Sequence, residues 1–181
     1  MRLALPVLAL LLASGAAAQP AAPPEADPAD VGTTHAILAA VYASISGPAD
    51  EPRDWDRFRS LMHPAARLIP IGQRPDSSWA PVVIWSVEDY VAYGTQTFRD
   101  APLFQGKGFY EVEAAQRTER YEHLAHVWST YESRLDPAEA PFARGINSFQ
   151  LTHDGARWWV LSITWEQESA LTPIPAPYLP E

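Results

Sequence analysis

The feature that most constrains this chain is a change of hydrophobic period. Upstream of Gly106 the apolar residues recur three and four apart, as helices require. Downstream they alternate with period two, as strands require. Ile37, Leu38, Val41, Tyr42 and Ile45 form the first helical stripe, started by Thr33 or Thr34 and stopped by Gly47-Pro48. Asp54 precedes Trp55, Phe58, Leu61 and Met62 in a second helix that Pro64 ends, with His63 in its last turn. Ala66 to Ile71 reads as a short strand and Gln73 to Ser78 as a loop. A capping-box pattern from Ser86 to Asp89 opens a third helix carrying Val87, Tyr90, Val91, Gly94 and Phe98. Strands follow over Lys107–Thr118, Tyr121–Leu135, Phe142–His153 and, after the turn signal Asp154-Gly155, Arg157–Glu166. Helices followed by a meander predict an α+β domain: three N-terminal helices packed on a strongly curved antiparallel sheet.

The ends read differently. Half of the 18 prolines fall outside 31–167, five in the first thirty residues and four after Gln167. Met1 to Ala18 has the form of an export signal: Arg2, the apolar run Leu3 to Ala13, then Ala16-Ala17-Ala18 before Gln19. The run is short and Ala-rich against the ~20 residues a membrane anchor needs. The expectation is a signal peptide at 1–18, a disordered Pro-rich linker at 19–30, one domain at 31–167 and an extended, unpacked tail at 168–181. The protein is then secreted or periplasmic and free of the membrane after cleavage. The chain has no cysteine, which removes disulfides and thiol chemistry. Its 13 basic against 22 acidic residues, a net charge of −9, make nucleic acid an improbable partner.

Four segments carry a resemblance: DWDRFRSLMHPAARL (Asp54–Leu68), HVWSTYESR (His126–Arg134), RGINSFQL (Arg144–Leu151) and DGARWWVLSITW (Asp154–Trp165). With the order of elements they resemble the nuclear transport factor 2-like superfamily, including its SnoaL-like and ketosteroid isomerase-like members. The resemblance implies a cone-shaped, cystatin-like roll over 31–167 and a sheet face used for dimers. It leaves the chemistry open, because that superfamily hosts enzymes, binding modules and assembly domains. Ala65 stands where such proteins often have Asp after His-Pro.

Alternation assigns side chains to faces. Ala125, Val127, Ser129 and Tyr131 belong to one face of their strand and His126, Trp128, Glu132 and Arg134 to the other. Folding back at Asp136–Pro141 sets Glu132 near Arg144 or Gly145, and Ser129 near Asn147 or Ile146. Glu132 and Arg144 should pair across the outer face, while Ser129, Tyr131, Gly145, Asn147, Phe149 and Leu151 line the inner one. The last strand is apolar on both faces, Trp158 and Val160 against Trp159, Leu161, Ile163 and Trp165. With Trp128 and Ile146 outside, this predicts a homodimer through the outer sheet face.

The pocket expected inside the cone suits a hydrophobic small molecule, with no metal and no cofactor. Tyr131, Asn147, Ser129, Tyr90 and Trp55 are its candidate ligand-binding residues, and Asn147 could equally be a structural link to Ser129. Tyr42, Tyr90, Tyr93 and Trp55 also fit a plain helical core. Acids near the pocket are Glu166 and whichever of Glu111 or Glu113 turns inward. Glu111 is a candidate functional carboxylate against the alternative of a rim charge. His126 is the other catalytic candidate, though its parity puts it outside; His63 suits a helix cap, His35 and His123 solvent, and His153 a hairpin end. The residues favour an exported ligand-binding module. The alternative is a cofactor-free isomerase, dehydratase or hydrolase. The two differ in one feature, an ionisable side chain inside the cone with a perturbed pKa, which the enzyme needs and the binder does not.

Overall fold

The computed structural model describes residues 22–72, 78 and 80–180. The signal at 1–18 and most of the loop at 73–78 lie outside the described residues. Helix α1 (Pro28–Val31) is a single turn, capped by the Asp27 side chain with Pro28 at its first position. Asp30 then grips Arg57 of helix α3 (Trp55–Leu61) with two hydrogen bonds of 2.7 and 2.8 Å. Ala26 packs on the core and Val31 is buried. The last third of the expected linker is therefore docked, because a local cap and an ion pair supply what its composition lacks.

Helix α2 (Thr34–Ile45) begins at Thr33, whose hydroxyl accepts from the Ala36 N–H at 3.0 Å, and it buries the predicted stripe Ile37, Leu38, Val41, Tyr42 and Ile45. Helix α4 (Val87–Asp100) carries the full Ser86–Asp89 capping box. Helix α3 drops Phe58 and Leu61 into the same core.

Five strands form one sheet in the order β1-β5-β4-β3-β2: β1 (Met62–Ile71), β2 (Tyr110–Tyr121), β3 (Leu124–Arg134), β4 (Ala143–His153) and β5 (Trp158–Gln167). The sheet is mixed, not antiparallel throughout. The four long strands form the expected meander, but β1 runs parallel to β5 along the edge. Pro64 interrupts the pairing of β1, where its missing N–H costs nothing at an edge. The β2–β3 turn is at Glu122-His123, later than the sequence suggests, with Glu122 in the left-handed region at φ 47° and no glycine to mark it.

The β3–β4 register pairs Ser129 with Asn147 and Glu132 with Arg144, and the inner face is the one alternation assigns. The expected Glu132–Arg144 ion pair does not form. Glu132 bonds Arg134 on its own strand, and Arg144 turns to Glu168 at 2.8 Å. A second correction concerns β5. Gln150 pairs with Ser162 but Leu151 with Val160, so Leu161 is an extra residue in a β-bulge. The bulge reverses parity, and Trp158, Val160, Ile163 and Trp165 all turn toward the core. The strand is apolar at odd and even positions for that reason, not because both faces are buried.

The tail is packed, contrary to expectation. Glu168 accepts from the Ile174 N–H at 3.1 Å, Ile174 is 8% exposed, and Thr130 donates to the Tyr178 carbonyl at 2.5 Å. The Tyr178 ring meets Trp128 edge-on at 5.8 Å and lies under the Arg117 guanidinium. The tail thus straps the outer face over Trp128 and Ile146, enclosing a cleft of about 510 Å³. A homodimer built on this face requires that the strap move or join the interface.

Candidate functional site

A cavity of about 290 Å³ lies between α2, α4 and the inner face of the sheet. Its walls are mostly aromatic and aliphatic, among them Ile45, Phe98, Phe149 and Trp165. Set into them are Glu111, Tyr131, Ser133, Asn147, Tyr42 and Tyr90. The size is at the lower end of the ~300–1,000 Å³ range of small-molecule sites.

Glu111 is held from both sides. Its backbone N–H donates to the Ser46 hydroxyl at 2.9 Å, and that hydroxyl bonds the Tyr42 carbonyl at 2.7 Å in the last turn of α2. The same junction is closed by the backbone pair Gly47 to Phe109 at 2.7 and 3.0 Å. On β2, Glu111 faces Ser133, whose hydroxyl donates to the carboxylate at 2.8 Å. The side chain is enclosed by protein yet keeps contact with the cavity space. Desolvation pushes its carboxyl up to about 7, against the opposing effect of hydrogen bonds from Ser133 and Asn147. A group of this kind changes charge near neutral pH.

Three tyrosine hydroxyls share that surrounding. Tyr42, Tyr90 and Tyr131 are all held well above the ordinary phenol range, first by burial and then by the Glu111 charge. The Tyr42 hydroxyl lies 2.6 Å from the Ser129 hydroxyl and accepts from the Asn147 amide at 3.0 Å. By contrast, the Tyr90 and Tyr131 hydroxyls have no hydrogen-bond partner among the described residues and line the cavity. Tyr131 is placed by its cross-strand neighbour Gly145: a Cβ there would lie 2.5 Å from the Tyr131 hydroxyl.

Four sequence candidates therefore converge on the cavity: Glu111, Tyr131, Asn147 and Tyr90. Glu113 shares the inner face with Glu111, two residues along β2, and bonds Ser129 at 2.5 Å behind the wall; both acids turn inward. Ser129 is fully buried one layer behind the cavity, bonded to Tyr42 and Glu113. Trp55 is a packing residue, among Phe58, Tyr90 and Phe98, and sits where a side chain at Gly94 would clash. His126 is on the outer face, 3.0 Å from the Ser148 hydroxyl and beside Trp128. Glu166 faces outward too, opposite Ile146, because the β5 bulge reverses its parity. Among the described residues no three His, Asp or Glu side chains are placed to hold a metal ion.

Sequence patterning places Tyr42 in the helical core rather than among the site residues, and it does not reach Ser133. A tyrosine in the middle of a buried helical stripe needs a partner for its hydroxyl, and that was the available signal for Tyr42. Ser133 has the parity of Ser129 and Tyr131, two residues beyond the inner face as assigned.

No protein-family model matches the chain, and no curated protein matches it. Solved structures do. A protein of unknown function with a cystatin-like fold from Nostoc punctiforme PCC 73102 superimposes with a TM-score of 0.55 at 9% identity, over 76% of this chain and 95% of that one. A function-unknown protein from Mycobacterium tuberculosis gives 0.56 at 12% identity, over 78% and 75%. The yeast UBP3-associated protein BRE5 gives 0.50 at 13%, over 75% and 93%. At these identities the likeness shows the fold, a cystatin-like α+β roll, and no activity.

Proposed function

We propose that this protein binds a small, largely apolar molecule in the cone cavity and moves a proton on it with Glu111, as a cofactor-free isomerase or dehydratase. One observation carries the reading: a desolvated carboxyl, its pKa pushed up toward neutrality, in an apolar cavity beside two tyrosine hydroxyls with no hydrogen-bond partner among the described residues. A base poised near the working pH abstracts a proton from carbon and returns it without needing strong acid or alkali. The Tyr90 and Tyr131 hydroxyls, kept neutral by burial, are suited to donate to an oxygen on which charge develops. The substrate class is an apolar molecule of one or two rings bearing a carbonyl or hydroxyl group. This reading makes the chain a divergent member of the nuclear transport factor 2-like superfamily, which its cystatin-like roll supports. Export through residues 1–18 to the periplasm or beyond belongs to the same proposal, and a mature chain beginning near Gln19 in mass spectra of native protein would support it.

The experiment is a screen of enolisable cyclic ketones by proton NMR in D₂O. Wild type should accelerate deuterium uptake at the carbon beside the carbonyl. Glu111→Gln should slow it about 10²–10⁴-fold while still binding the ketone. A ketone that binds saturably, with exchange no faster than in buffer, would make the protein a ligand-binding module instead.

A further inference from the structure

From behind the cavity wall into it, a single file of hydrogen bonds joins β2 to β4 through β3 and α2. Ser129 donates to the Glu113 carboxylate at 2.5 Å, the Ser129 and Tyr42 hydroxyls are 2.6 Å apart, and the Asn147 amide nitrogen donates to the Tyr42 hydroxyl at 3.0 Å. Each hydroxyl has one proton. Once Ser129 gives its proton to the carboxylate, its oxygen must accept from Tyr42, and the Tyr42 oxygen must in turn accept from Asn147. The direction of the whole file is thus set at its far end, by an anion that can only accept. All three inner members are buried, with exposures of 0% for Ser129, 4% for Tyr42 and 6% for Asn147. Glu113 itself also faces a groove between α2 and β2, lined by His35, Tyr42, Ser46 and Glu111 as well.

We propose that Glu113 is a positioning residue: through Ser129 and Tyr42, its carboxylate fixes which way the Asn147 amide faces, and so which group the cavity wall presents beside Glu111. With Glu113 ionised, Asn147 offers N–H in the cavity wall it shares with Glu111, and a donor there favours the ionised form of Glu111. A Glu113 side chain that can donate allows the file to run backwards. Tyr42 then donates to Asn147, the amide turns over, and its carbonyl oxygen meets the Glu111 carboxylate. The inference rests on the reading of Glu111 as the proton-transferring group. It also has a sign that simple repulsion between the two acids does not share, since removing a nearby negative charge lowers a carboxyl pKa. The groups facing Glu111 are Tyr42 from α2, Tyr90 from α4, Tyr131 and Ser133 from β3 and Asn147 from β4, while Glu113 faces His35, Ser129 and Tyr42 and shares its groove with Glu111. Of these groups the one that can carry positive charge is His35, which lines the groove with both acids; Ser129→Ala leaves His35 and Glu113 untouched, so a rise in that variant belongs to the file.

The test is the titration of the Glu111 side-chain carbon by ¹³C NMR in the full chain, in wild type, Glu113→Gln and Ser129→Ala. Both variants should raise the Glu111 midpoint by about half a pH unit or more, a roughly threefold change in the ratio of its two forms. Ser129→Ala breaks the file without altering charge, so it decides the matter even where Glu113→Gln fails to fold. A midpoint that falls or stays put in the folded variant overturns the proposal. If the midpoint rises in a protein that turns nothing over, the positioning role stands and the catalytic reading falls. If turnover is found but the midpoint does not move, the reverse holds.

Discussion

Ser133 faces Glu111 across the β2–β3 ladder and donates its hydroxyl to the carboxylate at 2.8 Å, which leaves the acid with polar neighbours too few to offset its desolvation. Its carboxyl sits at about 7, against an ordinary value of 4.5. The folded state therefore holds this proton more tightly than the unfolded chain, and stability falls as pH rises from about 4.5 to about 7, then levels. Glu111→Gln mimics the protonated acid. It should be as stable as wild type near pH 4.5 and more stable at pH 8 by roughly 3 kcal/mol. Denaturant melts of the pair at both pH values check this; equal stability at pH 8 would count against it.

Gly145 and Tyr131 form a second dependence. A methyl group on Gly145 would lie 2.3 Å from the Glu166 carbonyl and 2.5 Å from the Tyr131 hydroxyl, and the backbone oxygen has no room to give. Gly145→Ala should cost about 1–3 kcal/mol as an overpacked site and push the Tyr131 ring into the cavity. Thermal melts measure the first effect and loss of ligand binding the second.

Tyr42→Phe removes one hydroxyl and strips a partner from both Ser129 and Asn147, in a place with little access for solvent. A loss of about 1–3 kcal/mol is expected, the cost of leaving buried polar groups unsatisfied. A change below about 0.5 kcal/mol would mean that water enters and takes the hydroxyl's place.

These sites show where sequence reasoning reached and where it stopped. The stripe from Ile37 to Ile45, the Ser86–Asp89 cap and the pairing of Ser129 with Asn147 were legible because each is a local pattern or follows from a short connection. Two bulges were not legible. At Ala114 and Leu161 one extra residue reverses the alternation, and nothing in Glu-Ala-Ala or Val-Leu-Ser marks the insertion. The parallel pairing of β1 with β5 joins segments nearly a hundred residues apart, beyond any local signal. The tail misled through composition: four prolines prevent it from joining a sheet, but not from lying on one with Ile174 and Tyr178 as its anchors.

Deleting residues 169–181 should expose Trp128, Thr130 and Ile146 and remove the burial of Ile174, worth about 1.5–3 kcal/mol. The truncated chain should melt lower and self-associate more strongly than the full chain. Sedimentation and melting that match the full chain would show that the strap contributes neither cover nor stability.

Everything proposed for the cavity depends on Glu111 exchanging its proton near neutral pH. Its side-chain carboxyl carbon, followed by ¹³C NMR from pH 4 to pH 9 in the wild-type protein, measures this directly. A midpoint at about 7 is expected; a midpoint at the ordinary carboxylate value of 4.5 would contradict it.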